Sequence, residues 1–170
     1  MVPDDITAPT ITCPSSGTAS AGTACDYTLP NYVSLATVSD NCGGYTLSQS
    51  PAVGTIVPVG TNTITLMVTD AGGNTSSCDF NLFVSETELP IIDCPNDTIS
   101  CDPVVFYSLP TYSDNCLAEL VQTDGTGYSS GSTFPVGITD LMYQAIDTSG
   151  NVAGCSLSLI HISEPTRQLQ

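Results

Sequence analysis

Asp40, Asn41, Asp70 and Asn74 in the first half of the chain recur as Asp114, Asn115, Asp147 and Asn151 in the second, and pairs of acids, Asp4 with Asp5 and Glu86 with Glu88, stand upstream of the two sets. Carboxylates and amides on Gly-rich loops are the ligands calcium selects, because it takes about six to eight hard oxygen donors. Asp40, Asp70, Asn74, Glu86, Glu88, Asp114, Asp147 and Asn151 are therefore candidate calcium ligands. The same residue types are what tight turns demand, since Asp and Asn side chains hydrogen-bond their own backbone. No EF-hand spacing orders them, so turn formation explains them as well.

Eight cysteines form the second chemical set: Cys13, Cys25, Cys42 and Cys78, then Cys94, Cys101, Cys116 and Cys155. There is no CxxC pair and only one histidine, so the pattern points to disulfides in an oxidising compartment rather than to zinc. Catalysis finds little to work with. A Ser/His/Asp site would need His161, there is no lysine, and paired acids act as a glycosidase pair only inside a cleft that raises one pKa. The sequence is read as non-enzymatic.

These residues are positioned by a tandem repeat. Ser39-Asp40-Asn41-Cys42 returns as Ser113-Asp114-Asn115-Cys116, and Asp70-Ala71-Gly72-Gly73-Asn74 as Asp147-Thr148-Ser149-Gly150-Asn151, with matching cysteines 74 to 81 residues apart. A period that long means two whole domains rather than a solenoid. Ile64, Leu66 and Val68 alternate on one face, as do Cys78, Phe80, Leu82 and Val84. Leu141, Tyr143 and Ala145 with Cys155, Leu157 and Leu159 repeat the pattern. Period-two alternation makes these half-buried strands, and the Gly and Asn between them predict a hairpin turn. Further strands are expected at 10–13, 24–29, 45–50 and 54–57. Many short strands with closely spaced turns indicate antiparallel β-sandwiches of immunoglobulin-like type. The expected division is a linker at 1–9, a sandwich at 10–85, a linker at 86–90, a second sandwich at 91–162 and a tail at 163–170.

Seventeen acids face a single basic residue, Arg167, for a formal charge of -16. Nothing here neutralises phosphates, which excludes nucleic acid as a partner. Such a surface repels itself and invites cations. No apolar run is long enough to span a membrane. The start, Met1-Val2-Pro3-Asp4-Asp5, has no basic, apolar export signal, so the cysteine-rich chain is expected to be an internal piece of a longer exported polypeptide. Asn74-Thr75-Ser76 and Asn96-Asp97-Thr98 match the glycosylation sequon. The tyrosines, Tyr27, Tyr32, Tyr45, Tyr107, Tyr112, Tyr128 and Tyr143, are of a type that either stacks on sugars or packs at a core edge.

Thr12-Cys13-Pro14, Asp40-Asn41-Cys42, Val57-Pro58-Val59-Gly60 and Thr69-Asp70 through Asn74 to Cys78 resemble, in order, the motifs of the HYR (hyalin repeat) family. The second copy has Phe134-Pro135-Val136-Gly137 and Asp147 through Asn151 to Cys155, and departs from the pattern at Asp93-Cys94-Pro95 and Ile146-Asp147. The resemblance implies an immunoglobulin-like extracellular module that is structural or adhesive, carries no catalytic residues and sits among neighbouring repeats of one polypeptide, with a surface protein or glycan as a further partner. The alternative is a carbohydrate-binding or accessory module of an exported hydrolase. Because two-cysteine members of the family keep the first and last positions, the resemblance also implies bridges Cys13–Cys78 and Cys94–Cys155. It then leaves Cys25 to Cys42 and Cys101 to Cys116. Leu157-Ser158-Leu159-Ile160-His161-Ile162-Ser163-Glu164-Pro165-Thr166-Arg167 resembles the conceptual translation of a sequencing adapter. On that resemblance the natural sequence is expected to end near Ser156, with the last strand partly adapter-derived and 163–170 an unstructured artefact.

Overall fold

The computed structural model describes residues 5–163, and the chain falls into two compact units, Met1–Glu86 and Thr87–Gln170. Both are all-β, of immunoglobulin-like sandwich type.

The first unit is built on the hairpin of β7 (Gly60–Asp70) and β8 (Thr75–Ser85), paired from Thr69↔Thr75 to Gly60↔Val84. Alternation along both strands turns Ile64, Leu66, Val68, Phe80, Leu82 and Val84 inward, which follows from the two-residue period of a strand. Strand β5 (Tyr45–Ser50) adds to the β7 side and β2 (Gly17–Ser20) runs parallel to β8, giving the order β2-β8-β7-β5. Two strand pairs supply further core residues: β1 (Thr10–Thr12) with β4 (Thr37–Ser39), and β3 (Asp26–Thr28) with β6 (Ile56–Pro58). Their Ile11, Tyr27 and Val57 pack with Leu29 onto the inner face of the larger sheet. A 3-10 turn at Val33–Leu35 precedes β4.

The second unit repeats this plan. Strands β13 (Gly137–Asp147) and β14 (Val152–His161) form the central hairpin, β12 (Ala118–Gln122) flanks β13, and β10 (Thr98–Ser100) runs parallel to β14. Strands β9 (Ile91–Asp93) and β11 (Thr111–Ser113) pair separately. Val105, Phe134, Leu141, Tyr143, Leu157 and Leu159 make the core.

Strands β2, β4, β10 and β11 escaped the sequence reading because three- and four-residue segments are too short to show a period. The strand expected at 24–29 is shorter, since Gly22 and Cys25 are tied into a turn by Gly22 N to Asp26 O at 2.7 Å and Cys25 N to Gly22 O at 3.0 Å. The adapter-like string contributes to the sheet as far as His161, and Leu157 and Leu159 are fully buried. Residues 164–170, most of the expected tail, lie outside the described residues.

Each unit has one bridge across its core, Cys13–Cys78 and Cys94–Cys155. The inner pairing is corrected by the structure: Cys42 and Cys101 are exposed thiols, whereas Cys25 and Cys116 are disulfide-bonded. Geometry forbids Cys25–Cys42. Cys25 follows β2, whose last residue Ser20 pairs with Ser85 at the end of β8. Cys42 lies beside the turn that begins β8, where Ala71 N donates to Gly44 O at 3.1 Å. The 11 residues of β8 separate these poles by roughly 33 Å, and a disulfide needs Cα atoms within about 7 Å. The second unit has the same arrangement. Cys101 follows Ser100, paired with His161 at the end of β14, while Cys116 adjoins Leu117, whose carbonyl receives Thr148 N at 3.0 Å beside the opposite turn.

Candidate cation site

The β7–β8 turn fixes the first acid. Asp70 N donates to Asn74 O at 3.1 Å and Gly73 N to Asp70 O at 3.3 Å, with Gly73 at φ 88°, a conformation glycine adopts without the Cβ clash. The carboxylate of Asp70 then accepts Asn74 N at 2.8 Å on Oδ1 and Asn74 Nδ2 at 2.9 Å on Oδ2. Those bonds, the Asn74 amide first, hold the Asp70 pKa below the ordinary carboxylate value although burial opposes them. The second turn matches it: Asp147 accepts Ser149 N, Asn151 N and Asn151 Nδ2, each at 2.8 Å.

The Asn74 amide also reaches back to the leading segment, donating to Asp5 O at 3.0 Å and Thr7 O at 3.4 Å. Gly72 makes this approach possible, since a Cβ there would lie 2.7 Å from Asp5 O. Asp5, Asp40 and Asp70 thereby each place one carboxylate oxygen within 4.8 Å of the others. Asp5 Oδ1 accepts Thr7 N at 3.1 Å and Asn41 Nδ2 at 3.3 Å, and Asp40 Oδ2 accepts Cys42 N at 3.2 Å. Asp5 Oδ2 and Asp40 Oδ1 are shielded from solvent with no hydrogen-bond partner. Two such oxygens beside a third carboxylate form an electron-rich pocket suited to a hard cation, because an unpaired buried acceptor is costly. The neighbouring Asp5 carboxylate pushes the Cys42 thiol above its usual pKa.

Of the ligands expected from sequence, Asp40, Asp70 and Asn74 are brought together. Asp114 lies in the second unit, where Oδ2 accepts Cys116 N at 2.9 Å and Oδ1 is buried without a partner. Glu86 is buried and Glu88 exposed. The residue that sequence reasoning ranked too low is Asp5, read only as one of two linker acids. The repeat held the signal: Asp5 precedes Glu86 by 81 residues, as Cys13 precedes Cys94.

The HYR domain family matches residues 4–84 and again 85–160. The chain belongs to the HYR family as two tandem domains. A mouse (Mus musculus) relative, sushi, von Willebrand factor type A, EGF and pentraxin domain-containing protein 1, is 32% identical over 169 residues, which is 95% of this chain and 5% of that protein. Hyalin of Strongylocentrotus purpuratus is 35% identical over 127 residues, 69% of this chain and 10% of hyalin. This HYR pair thus spans a small fraction of the relatives it matches. Among solved structures, human protocadherin-24 EC1-2 aligns with 94% of this chain and 100% of its own at 12% identity and a TM-score of 0.37. Membership places the pair among extracellular adhesion-type modules. Among the described residues no helix is long and apolar enough to cross a membrane. His161 is buried with Nδ1 2.9 Å from Phe134 O.

Proposed function

We propose that this HYR pair is a structural and adhesive segment of a long secreted or cell-surface polypeptide, a spacer whose leading segment is clamped to its first domain by calcium. The observation that carries this reading is the convergence of Asp5, Asp40 and Asp70, with two of their oxygens buried and unpartnered. Asp5 lies ahead of β1, so an ion held there ties the incoming chain to the β7–β8 turn and replaces carboxylate repulsion by coordination. The partners this reading implies are neighbouring repeats, with a surface protein or glycan as a further contact.

Nothing favours the carbohydrate-binding alternative. Tyr27 and Tyr32 pack on the first core and Tyr107, Tyr128 and Tyr143 belong to the second, which leaves Tyr45 and Tyr112 as the well-exposed tyrosines among the described residues. Amide hydrogen exchange on the whole chain tests the proposal. In calcium chloride, Thr7, Cys42 and Asn74 are expected to exchange several-fold more slowly than in sodium chloride of equal ionic strength. Equal rates in the two salts would refute the clamp.

A further inference from the structure

Asn74 in Asn74-Thr75-Ser76 and Asn96 in Asn96-Asp97-Thr98 both stand in glycosylation sequons, and the fold treats their amides in opposite ways. Asn74 is half-buried in the β7–β8 turn, where Nδ2 donates to Asp70 Oδ2 at 2.9 Å and to Asp5 O at 3.0 Å. A side-chain amide has two N–H donors, so both are committed. The surroundings are full as well, since a Cβ on Gly72 would already lie 3.2 Å from that nitrogen and 2.7 Å from Asp5 O. Asn96, by contrast, lies in the second unit between Cys94, bridged to Cys155, and β10. It is exposed, and among the described residues no hydrogen bond occupies its amide. The two residues that follow are held by β14: Asp97 Oδ1 accepts Ser158 N at 2.8 Å and Thr98 pairs with Leu159. Strand β10 is the outermost of the order β10-β14-β13-β12, so a bulky group just ahead of it displaces no strand.

We propose that Asn96 is an N-glycan attachment site of the exported chain and that Asn74, despite its sequon, carries no glycan in the folded protein. The proposal rests on the reading of the chain as exported, and not on calcium. The donor is an oligosaccharide carried on a polyprenyl pyrophosphate. Asn96 Nδ2 forms a bond to the anomeric carbon of the first sugar while the bond from that carbon to the pyrophosphate oxygen breaks. Polyprenyl pyrophosphate leaves with the electron pair, and the amide gives up one proton to a base of the transferase. Thr98 supplies the hydroxyl that the sequon requires at its third position. An Asn-linked glycan is bulky and solubilising and belongs at a surface. At Asn96 the product keeps every contact of Asp97 and Thr98. At Asn74 it would remove a donor that the turn uses and wedge a sugar against Asp5, so a chain glycosylated there before folding cannot close the β7–β8 turn.

The test is secretion of the whole chain, behind an added signal peptide, from an animal cell line. Peptide mapping follows digestion with peptide-N-glycosidase in heavy-oxygen water, which turns each glycosylated Asn into a labelled Asp. In the secreted protein the label is expected at Asn96 and not at Asn74, and any Asn74 glycan is expected only in chain retained by the cell. Asn96→Gln should be secreted without a glycan. Thr98→Ser should keep the glycan, whereas Thr98→Val, which leaves Asn96 in place and suits a strand, should lose it. Translation into microsomes reads Asn96 occupancy independently of secretion. Unmodified Asn96 in the secreted wild-type chain would overturn the proposal, and so would a labelled Asn74 there. The readout is covalent mass, so failure here leaves the calcium clamp standing, and the reverse holds.

Discussion

Replacing both Cys13 and Cys78 by Ala removes the bridge that joins the β1–β4 pair to the four-stranded sheet of the first domain. The bridge spans a sequence separation of 65 residues, for which the loss of unfolded-state entropy corresponds to about 4 kcal/mol at 25 °C. A domain of this size has a total stability of about 4–12 kcal/mol, so the loss consumes a third of it or more. Because about 1 kcal/mol shifts the midpoint of such a domain by about 4–8 °C, the first domain should melt at least ~15 °C earlier. The second domain keeps Cys94–Cys155 and should retain its own transition. Differential scanning calorimetry of the variant should therefore show two separated transitions. A single transition displaced by less than about 5 °C would show that the bridge does not limit the unfolded chain, and would refute the reasoning.

Three further outcomes follow from the site and its surroundings. Asp40→Asn should raise the melting temperature of the calcium-free protein, because it relieves repulsion among three clustered carboxylates, and should abolish any calcium-specific gain, both read by thermal melts with and without chelator. Gly72→Ala, whose new methyl group would meet Asp5 O at 2.7 Å, should displace Asp5 and reduce calcium affinity at least tenfold by isothermal titration, while urea unfolding in chelator changes little. Asp124 is held at about 2, against burial, by donors from Thr126, Gln122 and Met142. A depressed carboxylate pKa contributes stability that is fully present above the unfolded value near 4 and lost as pH falls toward 2. Asp124→Asn should thus lose about 1 kcal/mol at pH 6, after discounting for solvent, and little at pH 2, as measured by urea midpoints at the two values.

The central hairpins were legible in the sequence because 11-residue strands display several periods of alternation, and their Gly–Asn turns have few other uses. The HYR motifs were legible for the same reason: they are the turns and strand ends of those hairpins. Short strands such as β2 and β4 were not, since their place depends on the sheet they join rather than on local pattern. The cysteine pairing failed at Cys25 and Cys42 because adjacency in sequence conceals that a strand carries the chain from one pole to the other between them. Asp40, Asp70 and Asn74 could be named from the turn signature, but Asp5 joins them through backbone contacts of the leading segment with Asn74, and its trace in the sequence is only the 81-residue offset it shares with Cys13.

The central claim, a calcium-clamped HYR pair, is tested most directly by matched melting scans of the whole chain in calcium chloride and in sodium chloride of the same ionic strength. Screening depends on ionic strength alone, whereas coordination by Asp5, Asp40 and Asp70 depends on the ion. The account predicts a higher midpoint in calcium by a few degrees, lost in Asp40→Asn. Superimposable curves in the two salts would contradict it and would leave these acids as turn formers on a repulsive surface.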